Sequence, residues 1–331
     1  MNKEDRGATR RRLLQAATGT LGCAVGPLRA AEDDWPSRSV TLVVPFAPGG
    51  SNDVAARLIA PALSDRIGRQ IVVDNRAGAG GAVGMGQAAR ARPDGYSLLL
   101  SSASSHIFNS LIVQNQGYDP REAFEGIGIV NDVPLALTVW PGLGVDSIQG
   151  LIERSRATPG GLGFGSSGVG SSAHLAGELF AMQTGATLEH VPYRGGGPAL
   201  TDLMAGTLPV AWLTLPAAIP QLGTGAIRVL GIASETRSTL QPDLPTVQEQ
   251  GVPGYAVRSW TGLFAQRGTP KVIINRISDE LHTVVRDARM RAKLIEIGSE
   301  PIWMGSAETD RFVREEFTRW SPVVERAGLA K

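Results

Sequence analysis

Val40-Thr41-Leu42-Val43-Val44-Pro45-Phe46-Ala47-Pro48-Gly49-Gly50-Ser51-Asn52-Asp53 passes from an aliphatic, β-branched run into a Pro/Gly/Ser turn, and apolar residues at helical spacing follow to Ile67. A short unbroken apolar run predicts a buried strand, and a strand feeding a helix through a tight loop opens a βα unit. The same order returns in the second half. Leu162-Gly163-Phe164 runs into Gly165-Ser166-Ser167-Gly168-Val169-Gly170-Ser171-Ser172, and a helix is predicted over 171–184. Around these two units the pattern predicts strands at 71–73, 96–100, 133–140, 188–191, 210–213 and 227–233, with helices at 52–67 and 198–205 and a short one between 73 and 96. Alternation of this kind argues for α/β architecture with mainly parallel sheets. An extended run over 255–265 and charged helices from Pro270 onward close the chain.

Two extended connectors, near 131–140 and 254–264, imply that the chain crosses twice between two lobes. The expected division is 37–132 with 257–331 in lobe 1, carrying the C-terminal helices, and 133–256 in lobe 2. Residues 1–31 stand apart as an export signal of twin-arginine type. Thr9-Arg10-Arg11-Arg12-Leu13-Leu14 leads into a weakly apolar stretch through Val25, too short and glycine-rich for a permanent anchor, and small residues at Ala30 and Ala31 suit cleavage. Cys23 in Thr20-Leu21-Gly22-Cys23 is a poor lipoprotein site, because Thr20 stands where a leucine is usual. A cleaved leader and a periplasmic location are therefore expected.

Composition excludes several function classes. Over 331 residues the net charge is +1 and aromatic residues are few, so neither a basic footprint nor a stacking platform for nucleic acid is present. The single cysteine lies in the leader, and His106, His174, His190 and His282 show no metal-ligand spacing, so neither metal nor cofactor is expected. No GxxxxGK[ST] loop occurs, Gly78-Ala79-Gly80-Gly81 lacks the third glycine of a dinucleotide loop, and Val169 stands where a GxSxG elbow needs glycine.

What remains is the pair of strand–loop–helix junctions. The first helical turn leaves N–H groups without internal acceptors, and the helix dipole adds positive potential there. Gly and Ser in such a loop allow close approach and add hydroxyl donors, while the absence of Lys and Arg suits a carboxylate better than a polyphosphate. Two further loops, Asn75-Arg76-Ala77-Gly78-Ala79-Gly80-Gly81 and Tyr193-Arg194-Gly195-Gly196-Gly197-Pro198, also follow predicted parallel strands, where open α/β sheets bind ligands. Asp53, in a first helical turn, suits capping better than base catalysis.

The same residues carry a family resemblance. Val43-Val44-Pro45-Phe46-Ala47-Pro48-Gly49-Gly50 with Asp53, Asp74-Asn75-Arg76-Ala77-Gly78-Ala79-Gly80-Gly81, Pro93-Asp94-Gly95-Tyr96, Gly165-Ser166-Ser167-Gly168, His174-Leu175-Ala176, Val191-Pro192-Tyr193-Arg194-Gly195 and Leu244-Pro245-Thr246 occur in order over essentially all of the chain after Trp35. In this the chain resembles the Bug family, the extracytoplasmic solute receptors of tripartite tricarboxylate transporters. The resemblance implies a two-lobed periplasmic-binding-protein (Venus-flytrap) fold with a cleft between lobes, no enzymatic activity, and a monomer that hands its solute to membrane transporter subunits. It also implies that one ligand carboxylate is pinched between the loops. The residues expected there are Pro48, Gly49, Gly50, Ser51 and Asp53 from the first, and Ser166, Ser167, Gly170 and Ser171 from the second, with Ala79 and Gly80 beside them. Two stretches depart from the family pattern, 101–108 and 208–214, and both are expected along the distal half of the cleft. The ligand expected is a small carboxylate, a di- or tricarboxylate or an aromatic acid, and Trp212 favours an aromatic or bulkier acid over a simple dicarboxylate. The rival readings are a periplasmic sensor input feeding a signalling protein, and an exported hydrolase using Ser167 or Ser171 with His174.

Overall fold

A computed structural model describes residues 35–113 and 116–330. The leader expected over 1–31, with its arginine pair and Cys23, lies outside the described residues. Pro36–Lys331 form one compact unit built on two sheets. In chain order the elements begin with β1 (Val40–Val44), α1 (Ser51–Ile67), β2 (Ile71–Asn75), α2 (Ala82–Ala89) and β3 (Ser97–Ser102). A π-type turn over Ser104–Phe108 leads to α3 (Asn109–Ile112), α4 (Pro120–Ala123) and β4 (Phe124–Asp132). The chain then enters the second sheet with β5 (Leu135–Val139), α5 (Ile148–Ala157), β6 (Leu162–Ser166), α6 (Ser172–Thr184) and β7 (Leu188–Pro192). It continues through α7 (Gly196–Ala205), β8 (Val210–Thr214), α8 (Leu215–Ala218) and β9 (Arg228–Ile232). Finally it returns to the first sheet with β10 (Trp260–Gln266), α9 (Lys271–Arg286), α10 (Ala288–Glu296), β11 (Glu300–Met304) and α11 (Ser306–Arg326).

The sheets run β11-β4-β10-β3-β1-β2 and β7-β6-β8-β5-β9. This is the expected α/β, two-lobed class, with one sheet per lobe. The mainly parallel pairing expected of both sheets needs correction. Parallel pairs are confined to the βα units, β1 with β2 and β3, and β6 with β7 and β8. Wherever the chain has just crossed between sheets, or doubles back at the edge, the pairing is antiparallel: β10 against β3 and β4, β5 against β8 and β9, and β11 against β4. A parallel neighbour requires a crossover helix, and a strand arriving from the other lobe has none.

β4, α5 and β11 were not anticipated. In β4 the glycines that weaken a strand signal are there for packing: a Cβ on Gly126 would sit 2.5 Å from Thr309, and one on Gly128 2.7 Å from the Trp303 ring. The extended run over 255–265 resolves into the strand Trp260–Gln266 preceded by irregular chain. α11 packs on β4 and also on α6, so the C-terminal helix touches elements of both sheets. Its Trp320 is fully buried edge-on against Phe108, and burying rings of this size contributes about 1.5–3 kcal/mol each. The packing places the carboxyl ends of β1, β2, β6 and β7 around one cavity.

Candidate functional site

A cavity of about 530 Å³ takes its walls from all four Gly-rich loops. Gly50, Ser51 and Asn52 belong to the first, Gly80 to the loop after β2, Ser167 and Val169–Ala173 to the loop after β6, and Gly196 and Gly197 to that after β7. None of the described residues lining it is ionisable. The polar groups an anion meets there are amides, hydroxyls and helix ends, beside apolar walls such as Phe46, Leu135 and Trp212.

The first loop turns at Gly49, whose φ of 85° only glycine adopts without strain, and Gly50 caps α1 without a side-chain bond. Asp53, 2% exposed, lies beneath it rather than in the cavity. Its carboxylate accepts the Gly49 N–H at 2.8 Å, the Arg57 Nε–H at 3.0 Å and the Asn75 Nδ2–H at 2.9 Å. Burial alone would raise the Asp53 pKa, but the bonds from Arg57, Gly49 and Asn75 outweigh it and hold the group below the usual aspartate value. Asn75 also donates to the Phe46 carbonyl, so the neighbouring strand braces the loop at two points.

The second loop is built to the same plan with other chemistry. Gly168 and Gly170 take φ of 127° and 75°, and Ser171 caps α6 by accepting the His174 N–H at 3.2 Å. The Ser171 hydroxyl donates to the Gly168 carbonyl at 2.7 Å. The Gly170 N–H, expected to face a ligand, instead donates to His174 Nδ1 at 3.2 Å. Ser166 is fully buried, with Oγ 2.7 Å from His190 Nε2. The serine–histidine contact in this region is therefore Ser166–His190, shielded from the cavity, while Ser167 and Ser171 have no bond to a histidine ring.

Of the residues expected from the sequence, Gly50, Ser51, Gly80, Ser167, Gly170, Ser171 and Trp212 reach the cavity. Pro48, Gly49, Asp53, Ala79 and Ser166 do not line it. Ala79 is the single described non-glycine residue with positive φ, 48°, a strained conformation that presents its carbonyl to Asn109 Nδ2 at 3.2 Å. Trp212 is 1% exposed; its indole N–H donates to the Tyr255 hydroxyl at 2.8 Å, and Phe164 and Phe180 pack against its ring. It is first a core residue of lobe 2, and what it offers a ligand is confined to that small exposed area.

Residues not anticipated include Phe46, Asn109 and a hydroxyl-bearing floor. Ser104 meets Ser172 at 3.4 Å, and Ser172 donates to Ser259 at 3.3 Å, linking the π-type turn, the start of α6 and the irregular chain before β10. Thr261 donates to Asn52 Oδ1 at 3.0 Å. Of the two stretches expected at the distal half, Ser102 and Ser104 come from one and Trp212, Leu213 and Thr214 from the other. Among the described residues no group of three or more His, Cys, Asp or Glu could hold a metal.

Two sheets with flanking helices and a cleft whose walls are strand–helix loops from both lobes define a solute-binding protein of the two-lobed type. The comparisons agree. The family model for the Tripartite tricarboxylate transporter family receptor matches residues 55–329. Protein BugT of Bordetella pertussis is 37% identical over 297 residues, 89% of this chain and 91% of that protein. Among solved structures, an R. palustris protein with adipate is 39% identical with a TM-score of 0.76, covering 90% of this chain and 99% of that one. MatC from Rhodopseudomonas palustris, with bound malate, is 29% identical with a TM-score of 0.71, covering 88% and 100%. The chain belongs to the tripartite tricarboxylate transporter receptor family, the Bug proteins, whose members are substrate-binding receptors and not enzymes.

Proposed function

We propose that this protein captures a small carboxylate between its lobes in the periplasm and delivers it to the membrane subunits of a tripartite transporter. The observation carrying this reading is a cavity without ionisable walls that nonetheless takes in the first turns of α1 and α6. Orphan N–H groups at two helix starts, with the Ser51 hydroxyl beside them, suit one carboxylate, whereas the Ser171 and Ser172 hydroxyls already donate to Gly168 and Ser259. Adipate and malate in the related structures support the ligand class, and the family's description supports the transporter as recipient. Each charge-assisted hydrogen bond contributes about 1.5–3 kcal/mol. Three or four, less the cost of ordering, reach the roughly −8 kcal/mol of micromolar binding.

The test is a thermal-shift screen of the purified protein against mono-, di- and tricarboxylates and aromatic acids, each beside its amide. At a hundredfold excess over Kd, mass action stabilises the folded state by about 2.7 kcal/mol, a rise of several degrees. An acid should produce that rise and its amide should not. Equal shifts from acid and amide, or none from any acid, would remove the carboxylate from the account.

A further inference from the structure

Beneath the second loop sit two histidines to which ligand capture assigns no task. His174, three residues past the Ser171 cap, and His190 of β7 stack with 3.6 Å between ring centroids and 16° between planes. Phe164 of β6 lies beside both rings. Each histidine grips one end of the loop. At its entry His190 Nε2 meets Ser166 Oγ, and the same oxygen accepts the Gly168 N–H at 3.1 Å. At its exit His174 Nδ1 accepts the Gly170 N–H, while Nε2 faces Glu178 Oε1 at 3.5 Å.

An imidazole nitrogen accepts only while it carries no proton, so the Gly170 bond requires His174 to bear its proton on Nε2, toward Glu178. The first loop shows what such a bond is for. There the glycine just before the cap, Gly49, donates to the side chain four residues on, Asp53; here Gly170 donates to His174 at the same spacing. Both bonds tie down the amide of the glycine just before the cap, next to first-turn residues that line the cavity. In both loops the neighbouring parallel strand adds a second brace, Asn75 in the first and His190 in the second.

We propose that the His174–His190 stack is the positioning element of the cavity's second loop, with His174 the counterpart of Asp53, and that the loop holds its binding shape through the acceptor that His174 Nδ1 presents to the Gly170 N–H. The proposal rests on the carboxylate reading of the cavity. Burial, and next to it the adjacent His174 ring, hold the His190 pKa down to about 3. Glu178 of α6 faces His174 Nε2, and β6 contributes Phe164 and the Ser166 hydroxyl to the stack. A second proton on stacked rings would meet direct repulsion, and one on Nδ1 would set a donor against the Gly170 N–H.

The test compares wild type with His174→Asn, whose side-chain oxygen replaces Nδ1 as acceptor, and His174→Leu, which has none. The readouts are the hydrogen-exchange protection of the Gly170 amide and the thermal shift given by a mixture of adipate, malate, citrate and benzoate. His174→Leu should lose at least tenfold in Gly170 protection and most of the acid-induced shift while still melting cooperatively, and His174→Asn should recover both. Retained protection and shift in His174→Leu, or no recovery in His174→Asn, overturns the proposal. Should wild type respond to no acid, the carboxylate reading fails by itself and the exchange arm still decides whether His174 positions the loop. Should His174→Leu fail to fold, ¹⁵N-histidine spectra of wild type decide: a proton on Nε2 of His174 supports the proposal, and one on Nδ1 overturns it.

Discussion

The two strand–helix loops that line the cavity perform one structural task with different chemistry. Each follows a parallel strand, turns on a left-handed glycine and opens a helix, and each sends a glycine N–H inward to the side chain four residues on. In the first loop that acceptor is a buried carboxylate, tied to Arg57 and Asn75. In the second it is an imidazole stacked on another. The first needs its brace ionised and the second needs an unprotonated ring nitrogen. Two halves of similar geometry are thereby braced by different acceptors, and neither brace adds an ionisable wall to the cavity.

Removing the first brace should have the larger effect. Asp53→Ala leaves the Gly49 amide, the Asn75 amide and one face of the Arg57 guanidinium without their acceptor, at a cost of about 2–3 kcal/mol. Urea unfolding should show that loss as a lower midpoint at an unchanged slope. A midpoint within error of wild type would mean that the first loop does not depend on its carboxylate and that the pairing with the second is only geometric.

Acid should act on stability more gently. His190 is lowered from 6.5 to about 3, so the unfolded chain takes up its proton first, and this contribution to stability, full above pH 6.5, is lost as pH falls toward 3. His106, buried and stacked on Phe264 in lobe 1, is likewise lowered to about 3 by burial and adds in the same direction. Asp132, at the end of β4 where the chain crosses to lobe 2, acts oppositely. Burial raises it to about 7, so its contribution is full below 3.8 and lost as pH rises through 7. Asp53, held low, keeps its contribution until pH falls below the ordinary aspartate range. Each fully expressed shift changes stability by at most about 1.4 kcal/mol per pH unit. Between pH 6.5 and 4.5 the unfolding free energy should therefore fall by the share of His190 and His106, and their replacement by Phe should flatten that part of the profile. An unchanged slope in the double variant would mean that neither buried ring contributes to it.

Much of this frame is legible in the sequence. Val40–Val44 and Leu162–Phe164 announce themselves as buried strands, the second extending to Ser166 in the structure, and the Gly/Ser stretches after them as helix entrances, because local composition decides both. The position of Asp53 in a first turn likewise pointed to a local structural role. What local pattern could not give depends on register between distant segments. The His174–His190 stack arises because β7 runs parallel to β6 and brings His190 level with Phe164 beneath α6. The Asn75 brace arises from the pairing of β2 with β1. Gly170 reads as a ligand donor until His174 is seen to occupy its amide, and nothing local shows that Trp212, which does reach the cavity, has its indole N–H committed to Tyr255. β4 escaped because its glycines record contacts with Thr309 and Trp303, far away in the chain.

The central claim is that the two loops hold one carboxylate jointly. Calorimetric titration of the best-stabilising acid from the screen into wild type, Ser51→Trp and Ser171→Trp tests it most directly, with circular dichroism confirming that each variant keeps its fold. Loss of at least a hundredfold in affinity in both variants is the predicted result. Near wild-type affinity in either one, with the fold intact, would contradict it and leave the acid bound by a single loop.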